Sequence, residues 1–157
     1  MKLASTKIIT ACVLILATNS VMADTAKSAK HAQKATDLRQ SVYTLLGANM
    51  GTLGGMAKGK IPFNAKVVER NATRINQLSL MVADYTRTDT SAFEVKTEAL
   101  PKVWAERVKF EKRIKDLTLA SAKLIKASKS GDEAAIKGAI GGVGKTCGGC
   151  HDNFKKE

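Results

Sequence analysis

Val143-Gly144-Lys145-Thr146-Cys147-Gly148-Gly149-Cys150-His151 stands near the C-terminal end of the chain, with six residues after the histidine. Within it, Cys-x-x-Cys-His is the attachment signature of c-type haem. Two thiols add across the porphyrin vinyl groups, and the adjacent imidazole reaches the iron as proximal ligand. On a helix, spacings of three and four residues put Cys147, Cys150 and His151 on one side. The same register gives Ile136, Ile140 and Val143 upstream and Phe154 downstream. The cysteines therefore share a face with core positions, so the haem is expected inside a helical assembly. Asp132 suits the N-cap of this helix and Glu133 the positive end of its dipole. At 1.5 Å per residue the helix would run about 34 Å.

Two other readings of the cysteine pair are weaker. Zinc wants four ligands, and the chain holds only Cys12 and His31 besides these. A thioredoxin-type pair sits at a helix N-terminus, which lowers thiol pKa, whereas this pair lies close to a helix end.

Working outward, three more amphipathic segments appear, and no stretch shows strand-like alternation. The first, from about Ala26 to Lys58, carries Leu38, Val42, Leu46, Met50, Leu53 and Ala57 at helical spacing. It breaks at Gly59 to Phe63, because Pro62 disfavours helix at the residue before it. Asn64 is a plausible N-cap for the second, whose stripe is Val68, Asn71, Ile75, Leu78, Val82 and Tyr85. Residues 86–96, rich in Thr, Asp and Ser, read as the longest connection. The third helix begins near Pro101, a residue tolerated in a first turn, with Val103, Phe110, Ile114, Leu117, Ser121 and Leu124 as its stripe. Ser130-Gly131 ends it. Four helices with mostly short connections predict an all-α, antiparallel four-helix bundle with covalently attached haem.

Residues 1–23 read as a cleaved secretory signal peptide: Lys2 and Lys7, an apolar run from Ile8 to Ala17, then Val21-Met22-Ala23. The run is too short for a membrane span. A faint lipoprotein box at Cys12 is discounted because the apolar run continues past it. Residues 24–157 then form one domain, which retains only the two haem cysteines and has no structural disulfide. Without Lys2 and Lys7, 24 basic side chains stand against 14 acidic, a formal +10 before haem propionates subtract. Such a charge favours acidic partners. The lysines are spread along the chain and no nucleic-acid motif accompanies them, so solvated helix faces are the default reading. Met50, Met56 and Met81 are read as core residues, as methionines at these spacings usually are. His31 precedes the strongly patterned part of its helix and is read as exposed.

Taken together, the residues resemble cytochrome c prime, the class II c-type cytochromes, over essentially residues 24–157. The likeness rests on Leu38-Arg39-Gln40-Ser41, on Leu53 to Gly59, on Ile61-Pro62-Phe63-Asn64, on Pro101-Lys102-Val103-Trp104, on Gly131-Asp132 and on Val143 to His151. Class I cytochromes c instead carry the haem motif near the N-terminus. The resemblance implies one haem c held by His151, an apolar distal pocket walled by the first helix, and Arg39 and Gln40 near the haem edge. It also implies a periplasmic location, NO and CO as ligands, possible electron transfer, and often a homodimer through the first two helices. One departure is Lys155, where many relatives have Arg four residues after the proximal histidine; lysine lacks the planar fork.

In low-spin relatives a methionine on the first helix supplies a sixth ligand, ten residues before the leucine of the Leu-Gly run. Here that position is Tyr43. The expectation is therefore five-coordinate, high-spin iron with Tyr43 as a steric gate over the distal face. The chain offers no second catalytic group and is not read as an enzyme. One alternative is a low-spin, six-coordinate electron carrier of the same fold. Another, from a different class, is a haem-free helical periplasmic protein such as a metal-binding chaperone.

Overall fold

The structure, a computed structural model, describes residues 24–157; the expected signal peptide, with Cys12, lies outside the described residues. In chain order it holds β1 (Asp24–Thr25), α1 (Ala29–Ala57), α2 (Ala65–Tyr85), β2 (Thr88–Asp89), the single turn α3 (Lys102–Ala105), α4 (Arg107–Ser128) and α5 (Glu133–Phe154). The four long helices form the expected bundle.

Helix boundaries follow local chemistry. Asn64 Oδ1 accepts from Val67 N–H at 3.1 Å and Asp132 Oδ1 from Ala135 N–H at 3.0 Å, so both predicted N-caps are made. Ser28 caps α1 in the same way, through His31 N–H at 3.2 Å. After α1 and α4 the chain turns through Gly59 (φ 68°) and Gly131 (φ 76°), left-handed conformations that glycine adopts without steric cost.

Two apolar clusters fill the bundle. One joins Leu53, Val68, Ile75, Leu124, Ile136 and Ile140. The other joins Val42, Val82, Val103, Trp104, Phe110 and Phe154. In the second, the rings of Phe110 and Phe154 meet edge to face at 5.2 Å, a favoured aromatic geometry. This cluster lies at the end of the bundle that carries the cysteine pair, with Cys150 packed against it.

Several expectations need correction. Strand is present: β1 and β2 pair in parallel, Asp24 with Thr88 and Thr25 with Asp89. Two residues per strand are too few for alternation to register in the sequence. Leu38 is 42 % exposed, and the inward positions around it are Thr36 and Arg39. Met81 is 39 % exposed and not core, whereas Met56 is buried and Met50 half-buried. The third helix is broken at Glu106 (φ −113°, ψ 44°). That break lets both flanking segments serve the last carbonyls of α2. Trp104 Nε1 donates to Thr86 O at 3.0 Å, while Arg107 donates to Thr86 O at 3.0 Å and to Ala83 O at 3.1 Å.

The connection after α2 also runs further than expected, to residue 101. Its last part is tied to the end of α5: Leu100 N–H donates to Phe154 O at 2.9 Å and Lys156 N–H to Glu98 O at 2.7 Å. Ala99 and Lys155 form an antiparallel bridge. These bonds clamp the backbone just beyond His151. Among the described residues no helix is long and apolar enough to cross a membrane.

Candidate functional site

Helices α1 and α5 meet along a sparser seam than the other long neighbours. Between them opens a cleft of about 1480 Å³, larger than the roughly 300–1,000 Å³ usual for drug-sized ligands. The space is open beside both helices: a Cβ placed at Gly47, Gly51, Gly54 or Gly141 would meet nothing within 4 Å. Cys147, Cys150 and His151 all line this cleft from α5. Tyr43 and Met50 line it from α1.

Both thiols are half-buried and held in their neutral form. Burial raises the Cys147 thiol, although Thr146 and the local backbone pull it down. Burial likewise pushes the Cys150 thiol up to about 11, with Arg113 opposing and Cys147 adding. A dithiol–disulfide catalyst needs the opposite shift, so the thioredoxin-type reading finds no support in this environment. His151 is exposed at the cleft wall.

Among the described residues, Arg39 is the largest fully buried side chain, 2 % exposed. Its Nη2 donates weakly to the hydroxyls of Thr36, Thr90 and Thr97, at 3.2, 3.4 and 3.4 Å. The guanidinium lies 5.2 Å over the Trp104 ring, within cation–π range. Burial lowers its pKa, opposed by Tyr43 and Asp89. Nη1 is buried with no hydrogen-bond partner. An orphaned donor on a buried cation is costly, and this one belongs to a residue lining the cleft. An anionic oxygen such as a haem propionate would satisfy it. Gln40 also lines the cleft, with Nε2 donating to Lys96 O at 2.8 Å.

Tyr43 is 38 % exposed, at the cleft. Burial first, and Cys150 second, raise its pKa well above 10, with Arg39 and Arg107 opposing. A phenol held neutral is a poor anionic iron ligand. Val42, next to Tyr43, belongs to the cluster against which Cys150 packs, whereas the Met50 methyl lies 3.7 Å from the Cβ position of Gly144. Gly144 precedes His151 by seven residues, about 10 Å along a helix. Tyr43 precedes Met50 by the same seven residues, so on an antiparallel α1 it is displaced from Gly144 toward the cysteine–histidine end.

The structure brings together every predicted site residue: Arg39, Gln40, Tyr43, Cys147, Cys150 and His151 line one cleft. His31 does not join them; its Nδ1 accepts from Lys27 N–H at 3.1 Å near the start of α1. Lys155 lines the cleft, but its Nζ pairs with Glu98 at 3.1 Å. Sequence reading missed Thr97, Glu98 and Arg113. The first two lie in a connection with no periodicity. Arg113 sits beside Ile114 of the apolar stripe and 3.6 Å from the Cβ position of Gly149, a contact visible only once α4 and α5 are packed.

The comparisons agree with this geometry. The pattern of the family described as Cytochrome C' matches residues 34–155. Cytochrome c' of Rubrivivax gelatinosus is 38% identical over 123 residues, covering 78% of this chain and 95% of that protein. Its crystal structure superposes with a TM-score of 0.72 over 80% of this chain and 97% of the other. Cytochrome c prime from Shewanella frigidimarina gives a TM-score of 0.73 at 34% identity, covering 80% of this chain and 97% of that one. A ferrous variant of cytochrome c prime from Alcaligenes xylosoxidans with bound NO gives 0.71 at 27% identity, covering 80% and 96%. The matched span runs from the early turns of α1, through the whole cleft, to the residue after α5, and it leaves no place for a haem-free alternative. The chain belongs to the cytochrome c prime family, as a monohaem c-type cytochrome carrying covalent haem c.

Proposed function

We propose that this protein is a periplasmic cytochrome with five-coordinate, high-spin iron that binds NO or CO on the distal side. Cys147 and Cys150 supply the thioether sulfurs and His151 the proximal nitrogen. Arg39 Nη1 pairs with a propionate, with Gln40 beside it, as a guanidinium suits a carboxylate. Haem, when bound, supplies an iron that takes a diatomic ligand and exchanges an electron. The chain's own part is to hold that group, keep water scarce around it, and screen what approaches.

One observation supports this reading: Tyr43, not a methionine, lines the cleft beside Val42, which packs in the same cluster as Cys150. Met50 packs toward Gly144 instead. The phenol is held neutral, so the tyrosine acts as a packed ring over the distal side and not as a ligand. Leu38 and Leu45 on α1 and Met81 on α2 are exposed apolar positions that a homodimer through these helices would cover. The signal peptide expected from the sequence of residues 1–23 would support export to the periplasm.

Optical and electron paramagnetic resonance spectra of the ferric protein at neutral pH test the reading. High-spin signals are expected, and Tyr43→Met should convert the iron to low spin. A methionine–iron charge-transfer band or a low-spin resonance in the unmodified protein would instead establish the six-coordinate electron carrier.

A further inference from the structure

Arg39 is a buried cation that makes no ion pair among the described residues. Its polar partners are neutral and come from two segments. Thr36 stands one turn earlier on α1, while Thr90 and Thr97 stand on the connection after α2. All three are served by Nη2, whose two hydrogens are shared among three hydroxyl oxygens. A carboxylate in their place would neutralise the guanidinium; hydroxyls orient it and leave its charge for another anion. Asp89, the residue before Thr90, is occupied elsewhere, its Oδ1 accepting from Ser91 N–H at 2.8 Å.

A connection without a helix of its own is ordinarily mobile, and a mobile hydroxyl orients nothing. This one is tied down on either side of each threonine. Before Thr90, β1 pairs with β2, and Ala26 N–H donates to Asp89 O at 2.9 Å. Ala26 is 5 % exposed and Thr90 1 %. After it, Phe93 N–H donates to Thr90 O at 3.1 Å. Before Thr97, Lys96 O accepts from Gln40, the neighbour of Arg39 on α1. After it, Ala99 N–H donates to Thr97 Oγ1 at 3.1 Å, and the bonds to the end of α5 follow. We infer that Thr90 and Thr97 are positioning residues that orient the Arg39 guanidinium without neutralising it, leaving Nη1 for the cofactor's carboxylate, and that β1 is the strap that keeps Thr90 in place. This role rests on the pairing of Arg39 with a propionate proposed above. A guanidinium is a planar fork, so fixing one amino group fixes the direction in which the other is offered.

Resonance Raman spectra of the holoprotein test the role, because the bending band of a haem propionate rises in frequency as the carboxylate gains hydrogen bonds. Arg39→Gln removes a buried cation that has no acidic partner, and it sets the full downshift of the band. Thr90→Val with Thr97→Val keeps the shape and the charge but removes both hydroxyls. It should move the band in the same direction by a smaller amount and broaden it. Thr97→Val alone, at a half-buried position, serves the comparison if the pair does not fold. Thr90→Ser with Thr97→Ser keeps the hydroxyls and should return the parent's band. Ala26→Pro removes the N–H that serves Asp89 and, isolated by mass as the same processed chain, should behave like the valine pair. No shift with Arg39→Gln would remove the propionate pairing and the positioning role with it. A shift with Arg39→Gln but none with the valine variants would leave the pairing standing and overturn the positioning role. Serine variants that shift as far as the valine ones would overturn it too, since packing and not the hydroxyls would then hold Arg39. A parent-like band in Ala26→Pro would overturn the strap.

Discussion

At the scale of single residues, Tyr43 carries the most specific consequences. On the function proposed above, the Tyr43 ring covers the distal side and must move before a ligand enters, and displacing packed side chains costs about 1–3 kcal/mol. Tyr43→Ala is therefore expected to speed CO association roughly 5- to 150-fold, measured by flash photolysis. An unchanged rate would place the ring off the ligand's path. The phenol gives a second handle. Burial is the first cause of its raised pKa, and that cause persists when Cys150 is a thioether, which carries no charge. A raised folded pKa contributes stability that is present below the unfolded value and lost as pH rises through the folded one. The unfolded value is 10.0. Unfolding free energies of the native protein and of Tyr43→Phe should thus differ by a constant amount from pH 6 to 9. Above pH 10 the native protein should lose ground to the phenylalanine variant, whose residue 43 does not ionise. Divergence already near pH 8 would mean that the phenol is not shielded.

At the scale of elements, the sequence was most readable where one local rule had no competitor. Asn64 and Asp132 announced their helices because a short polar side chain before an apolar stripe has few other uses, and Gly131 marked the turn between α4 and α5. These positions allow a quantitative check: Asp132→Ala should cost about 0.5–2 kcal/mol through the lost cap, read from denaturant unfolding of the holoprotein with its visible spectrum unchanged. A cost near zero would mean that packing alone sets the start of α5. Reading failed where tertiary contacts decide. Leu38 looked like core because helical spacing names a face only to within a residue, and the buried partner of that face proved to be Arg39. No propensity rule expects a guanidinium there; it is tolerated because three threonine hydroxyls and the Trp104 ring surround it. The tie between residues 98–100 and 154–156 was equally hidden, since backbone hydrogen bonds between distant segments leave no periodic mark. The haem cysteines were legible for the opposite reason: covalent chemistry fixes their identity and spacing whatever the surroundings.

At the scale of the whole molecule, the haem is expected to be a structural member of the bundle as well as its functional centre. The α1–α5 seam is held apart along a cleft whose lining includes Leu46, Ile75, Ile140, Val143 and Phe154. If that cleft had to persist as a dry void, about 24 cal/mol per Å³ over 1480 Å³ would amount to roughly 35 kcal/mol. A domain has only about 5–15 kcal/mol in total. Without haem, then, either water enters and wets apolar side chains or α1 collapses onto α5 and disturbs the packing of both clusters. Each route removes fixed side-chain packing while leaving helices that satisfy their own backbones, which is the condition of a molten globule. Cys147→Ala with Cys150→Ala, exported under the conditions that load the parent protein, should give a helical chain that binds a hydrophobic dye and melts without a cooperative transition. The parent should retain its haem stain on a denaturing gel after acid–acetone extraction and melt cooperatively. A double variant with a sharp transition close to the parent's would show that the protein frame alone specifies the cleft, and the haem would then be a guest in a finished bundle instead of one of its packing elements.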